Sequence, residues 1–284
     1  MLGDDNEVLG NPPHKCLRSS DHDENNKPYI GVTGITCKED VEIMKQTLKE
    51  SYGMYGILVS EDTLKGKEPH RGRYPKVGII KDLLRIMPEN ALRAIHYNSK
   101  DMNNISKDVE KIIQLTDGLC NCVQLNMEYP PIEQVVSIKD RNKDLKIIFQ
   151  LGKDSMKRNA YKGIALKMEP YVPYIDYILI DASQGAGIEL KILETMDFAK
   201  PLRHLRPLTF AGGLNGFNIF SFISMIEEFS ASVDAEGKLM KDNDTLDHEK
   251  VQNYIRAART IKGFKQKVKN CIPCEGVKSY ILNI

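Results

Sequence analysis

One stretch, Tyr177-Ile178-Leu179-Ile180-Asp181-Ala182-Ser183-Gln184-Gly185-Ala186-Gly187, restricts the fold more than any other part of the chain. A short apolar run that ends on a carboxylate and opens at once into a glycine-rich turn describes a buried parallel strand whose C-terminal end borders a reaction site. The same order of residue types returns in Pro207-Leu208-Thr209-Phe210-Ala211-Gly212-Gly213-Leu214-Asn215 and in Ala231-Ser232-Val233-Asp234-Ala235-Glu236-Gly237. Strand, glycine turn and helix, repeated, are consecutive βα units.

The alternation extends upstream without a break. Apolar runs predict strands at 29–33, 55–59, 92–96, 120–125 and 146–150, and helical spacing predicts helices at 36–51, from Pro75, at 104–115, from Pro130 and at 155–167. Helices near 188–194, 217–229 and 246–261 complete eight units. A closed (β/α)8 barrel takes about 250 residues, so this 284-residue chain is expected to hold one α/β domain, a TIM barrel over 28–262. Residues 1–27 have few large apolar side chains and are expected to be a mobile tail, and 263–284 a short basic extension.

Thr36-Cys37-Lys38-Glu39 matches the S/T-x-x-E capping box, so Thr36 is expected to cap the first helix. Cys37 then falls in the first helical turn, where the helix N-terminus would lower its pKa. The loop after strand two carries Lys65, Lys67, His70, Arg71 and Arg73. Its guanidinium groups suit an anion, and a plain solvated loop has the same composition.

Forty basic against thirty-nine acidic residues leave a formal charge of +1, which argues against nucleic acid or an anionic membrane as partner and for a small ligand. With no signal peptide or spanning segment read from the sequence, a cytoplasmic monomer or homodimer is expected. The six cysteines, Cys16, Cys37, Cys120, Cys122, Cys271 and Cys274, lack the spacing of a disulfide framework and are expected to be reduced. Cys120 and Cys122 should point to the same side of one strand as small buried hydrophobes. Neither Cys271 with Cys274 nor His14, Cys16 and His22 completes a ligand set, so no metal or cofactor is expected.

Five blocks carry a resemblance. Gly31-Val32-Thr33-Gly34-Ile35-Thr36 with Glu39-Asp40, Val123-Gln124-Leu125 with Glu128, Ile178-Leu179-Ile180-Asp181, Ala211-Gly212-Gly213-Leu214-Asn215, and Val233-Asp234 with Gly237 stand in the order found in the phosphoribosylanthranilate isomerase family. Over residues 29–262 the chain is similar to that family. The resemblance implies a place in tryptophan biosynthesis and an Amadori rearrangement of a phosphorylated sugar amine, in which an acid opens the sugar ring and a base removes the C2 proton. It implies Asp181 as the acid and Thr33 at the position of the family's basic cysteine. Arg73 would meet the substrate's aromatic carboxylate, while Gln124, Gly185, Gly187, Gly212, Gly213, Glu236 and Gly237 would line the substrate.

A threonine hydroxyl is no useful base unless another group deprotonates it. Closing the barrel sets strand eight beside strand one, so Asp234 or Glu236 could take over, and Asp234 could equally cap local amides. Glu236 stands where the family has serines around the phosphate, and a carboxylate there repels a phosphate unless it turns outward. Gly212, Gly213 and Asn215, the last as a helix N-cap, favour an anion between loops seven and eight. An epimerase or lyase on the same barrel, and a non-catalytic binding barrel, are the competing readings.

Overall fold

The computed structural model describes residues 27–156, 163–181 and 191–264. Eight parallel strands close in sequence order: β1 (Ile30–Thr33), β2 (Gly53–Ser60), β3 (Leu92–Asn98), β4 (Cys122–Leu125), β5 (Lys146–Leu151), β6 (Tyr177–Asp181), β7 (Leu208–Ala211) and β8 (Ser232–Ala235). The seam pairs Ile30 with Val233, Gly31 with Asp234 and Val32 with Ala235. Helices α1 (Lys38–Leu48), α2 (Glu61–Leu64), α3 (Val77–Ile86), α4 (Ile105–Leu115), α5 (Ile132–Arg141), α6 (Ile164–Met168), α7 (Ile192–Ala199), α8 (Ile223–Phe229) and α9 (His248–Ala258) follow the strands. This is the expected closed barrel. No helix among the described residues is long and apolar enough to cross a membrane.

The period of two along each strand divides the core into two layers. Outward residues such as Ile30, Val32, Ile57, Val123, Phe149 and Ile180 pack under the helices, each burial contributing about 1.5–3 kcal/mol. Inward residues, among them Met54, Ala94, Cys122, Ile148, Tyr177 and Leu179, fill the barrel together with Tyr29. Tyr29 and Tyr177 meet edge to face with centroids 5.2 Å apart, and Thr209 donates its hydroxyl to the Tyr29 oxygen at 3.0 Å.

Several local expectations shift. The cap of α1 is Cys37, because the carboxylate that folds back is Asp40, whose Oδ2 accepts the amides of Thr36 at 2.8 Å and Cys37 at 3.1 Å. Burial, together with the neighbouring Asp40 carboxylate, pushes the Cys37 thiol up to about 11, opposite to the lowering expected from the helix end. Cys120 and Cys122 are both buried but serve different layers, since pairing begins only at Cys122 and Cys120 sits on the helix side. The loop after β2 contains the single-turn α2. The segment after β7 opens as a 3-10 turn, Ile219–Phe222, before α8. His14, Cys16, His22, Gly185, Gly187, Cys271 and Cys274 lie outside the described residues.

Candidate functional site

At the C-terminal mouth of the barrel the inward positions change from apolar to polar. Following the alternation, β1 presents Thr33, β3 His96, β4 Gln124, β5 Gln150, β6 Asp181 and β8 Asp234, all buried. The register sets Asp181 opposite Ala211 and Ala211 opposite Asp234. Two carboxyl-bearing residues therefore flank an alanine, with backbones about 10 Å apart at the usual strand spacing. Asp234 next faces Gly31. A Cβ on Gly31 would approach Asp234 Oδ1 to 2.8 Å, so the glycine leaves the volume into which that carboxyl folds.

Asp181 and Asp234 border one cavity of about 370 Å³, which Gln124, Gln150, Gly212 and Gly213 line from the barrel and Arg73, Glu236 and Gly237 from the loops. Its described lining holds no thiol or imidazole. Thr33 does not reach it. That side chain is fully buried beneath Asp234, with Oγ1 3.1 Å from both Oδ1 and Oδ2. Burial above all, then the charge of Glu236, raises the Asp234 carboxyl well above the usual carboxylate range.

His96 lies 3.4 Å from Thr33 Oγ1. Burial pushes its pKa down to about 3 and holds the ring neutral. The sequence places His96 on a strand and by itself assigns it no role. Its signal was available, because Leu92, Ala94 and His96 share the inward face.

The cationic side of the site is already paired. Arg73, 7% exposed, donates from Nε to Asp244 Oδ1 at 2.8 Å, from Nη2 to the same oxygen and from Nη1 to Glu236. Arg71 Nε donates to Asp244 Oδ2 at 3.0 Å. Glu236 thus turns neither outward nor against a bare anion site; it occupies the Arg73 guanidinium that was expected to meet a substrate carboxylate. Burial raises the Glu236 carboxyl above its usual range despite that guanidinium.

Gly212 and Gly213 have φ of 111° and 65°, a conformation that side chains resist, so both glycines are required by the backbone after β7. Asn215 differs from its expected part in holding an anion. Its Oδ1 accepts the amides of Phe217 and Asn218 at 2.8 and 2.9 Å, and Asn218 Oδ1 accepts the Asn215 amide at 2.8 Å, so side chains satisfy these donors. Gln124 donates to Asn126 Oδ1 at 2.8 Å, while its buried Oε1 has no hydrogen-bond partner among the described residues.

No protein-family model and no curated protein sequence matches the chain. Solved structures do. A phosphoribosyl anthranilate isomerase from Thermus thermophilus superposes with a TM-score of 0.60 at 14% identity, over 82% of this chain and 100% of its own. The isomerase in complex with reduced 1-(o-carboxyphenylamino)-1-deoxyribulose 5-phosphate gives 0.57 at 21% identity, over 82% and 99%. The catalytic domain of a hyperthermophilic chitinase from Pyrococcus furiosus gives 0.53 at 11%, over 86% and 99%. Enzymes of unlike chemistry match at similar scores, so what this chain shares with them is the closed eight-stranded barrel.

Proposed function

We propose that the chain is a barrel enzyme of the phosphoribosylanthranilate isomerase type, an aldose–ketose isomerase acting on a phosphorylated sugar amine. The observation that carries this reading is the pair of carboxyls flanking Ala211 in one cavity, one of them with its pKa raised by burial. An Amadori rearrangement needs a proton donor at the ring oxygen and an acceptor at C2. Asp234 retains its proton and serves as the acid; Asp181 takes the C2 proton and serves as the base. These roles invert the one that the family resemblance implies for Asp181. Thr33 acts through Asp234, as its hydrogen-bond donor. Gln124 Oε1 accepts from a substrate hydroxyl or amine, and the phosphate lies against Gly212, Gly213 and Gly237, where the backbone admits close approach.

Turnover of phosphoribosylanthranilate, measured beside binding of its reduced ketose analogue, tests the reading. Asp181→Asn and Asp234→Asn should each lower kcat by about 10²–10⁴-fold and leave analogue affinity within a few-fold. Full turnover in either variant removes that residue from the mechanism, and a wild type inert towards every phosphorylated sugar amine removes the isomerase.

The commitment of Arg73 to Glu236 and Asp244 favours one alternative, an epimerase or lyase whose substrate has no carboxylate. In a thermal-shift panel, stabilisation by sugar phosphates together with indifference to anthranilate-bearing ligands selects that alternative. Absence of any stabilisation by phosphorylated sugars instead selects a non-catalytic barrel.

A further inference from the structure

The N-terminal ends of α1 and α9 meet across the β1–β8 seam, outside the cavity, and bring together Cys37, Asp40 and His248. We propose that these three side chains bind a zinc-type divalent metal ion, with a water completing four-coordination. One donor atom from each residue lies within 4.8 Å of the others. His248 Nε2 is 2.9 Å from Asp40 Oδ1. Tetrahedral zinc with bonds of about 2.0–2.3 Å needs donors roughly 3.3–3.8 Å apart, so the His248–Asp40 pair at 2.9 Å has to open by about 0.4 Å and the thiol to settle at that spacing from both. His248, with 36% of its side chain exposed, is the ligand that adjusts, whereas Asp40 is pinned. The Thr36 and Cys37 amides hold Asp40 Oδ2, which orients Oδ1 towards the imidazole as outer contacts orient metal ligands.

Thiolate, imidazole and carboxylate together select zinc over magnesium or calcium, which take oxygen. Capping alone does not account for sulfur at position 37, since serine, threonine, aspartate and asparagine are the better caps. The two helix ends oppose a cation with about half a charge each, and the thiolate and carboxylate outweigh them. Metal binding forms a metal–sulfur bond and releases the thiol proton to water. The ion would clip the first βα loop to the last, residues 208 apart in sequence, and so hold the barrel's seam.

Cobalt(II) titrated into the full chain, freed of metal with a chelator, is the test. One equivalent should produce a thiolate-to-cobalt charge-transfer band with the visible bands of a tetrahedral site. Cys37→Ser, which keeps a good N-cap and hence the apo melting temperature, should abolish the charge-transfer band. His248→Ala should weaken binding by at least about 100-fold, more than the loss of an outer contact does. The double variant Cys271→Ser/Cys274→Ser should keep the band. Zinc should raise the melting temperature of wild type and not of Cys37→Ser. Absence of the thiolate band in wild type, its persistence in Cys37→Ser, or its loss in the Cys271/Cys274 variant would overturn the proposal.

Discussion

Thr33 Oγ1 stands 3.1 Å from both carboxyl oxygens of Asp234, across the seam where β1 pairs with β8. A hydroxyl in that place gives up its hydrogen to the carboxyl and accepts nothing from the cavity. The residue at the end of β1 therefore bonds its neighbour, and it is Asp234, not Thr33, that lines the cavity.

Asp234→Asn should stabilise the protein at neutral pH. Below about pH 3.8 the carboxyl is protonated in both folded and unfolded chains and costs nothing. As pH rises through that value the unfolded chain ionises while the folded one keeps its proton, so wild type loses stability towards the raised folded pKa. Urea midpoints of wild type and variant should coincide near pH 3 and separate in favour of asparagine by pH 7. Wild type gaining on the variant between pH 4 and 7 would mean that Asp234 is ionised.

His96 produces the opposite slope. Its folded pKa is about 3 against an ordinary 6.5, so its contribution is intact above about pH 6.5 and is lost as pH falls, because only the unfolded chain accepts the proton. The loss runs at about 1.4 kcal/mol per pH unit. His96→Gln should flatten the stability curve between pH 6.5 and 4 in chemical denaturation. An unchanged slope would show that His96 titrates normally in the folded barrel.

Arg73 and Glu236 are coupled. Arg73→Ala strands a largely buried carboxylate and should cost about 2–4 kcal/mol, the lower end applying because Glu236 keeps 19% side-chain exposure. Arg73→Ala/Glu236→Gln should recover about 1–2 kcal/mol of that loss. Strict additivity in the double-mutant cycle would mean that the pair carries no energy of its own.

Two glycines should respond in opposite directions. A Cβ at Gly56 would come within 2.5 Å of Thr33 Oγ1 and 2.9 Å of His96 Nε2, so Gly56→Ala should destabilise by about 1–3 kcal/mol. Gly78, in the first turn of α3, meets nothing within 4 Å, and Gly78→Ala should gain a few tenths to about 1 kcal/mol. Melting temperatures of the two variants decide both.

The elements were readable because each depends on its own few residues. Leu92, Ala94 and His96 alternate whatever they pack against, and Val41, Met44 and Leu48 fall on one helix face by spacing alone. Boundaries drifted where a single hydrogen bond decides them. Asp40 rather than Glu39 folds back to the start of α1, which moved the cap by one residue to Cys37. The ladder pair Ser60–Asn98 carried β2 and β3 beyond their apolar runs. Asn215 met its amides as a cap does, but in a turn ahead of a 3-10 segment.

By itself the sequence determined the eight strand–helix units, their order and, through closure, that Asp234 would neighbour Thr33. All of this follows from local periodicity and from the single way in which eight parallel units close. Tertiary structure alone decided which charges meet. Arg73 pairs with Asp244 across 171 residues and with Glu236 across 163, and His248 meets Asp40 across 208. An ion pair has no sequence period, and its partners are set by loop paths that the closed barrel brings together only after it forms. For the same reason a carboxylate expected to face a ligand became the internal partner of Arg73, and a threonine at a strand's end came to lie beneath the cavity, outside its lining.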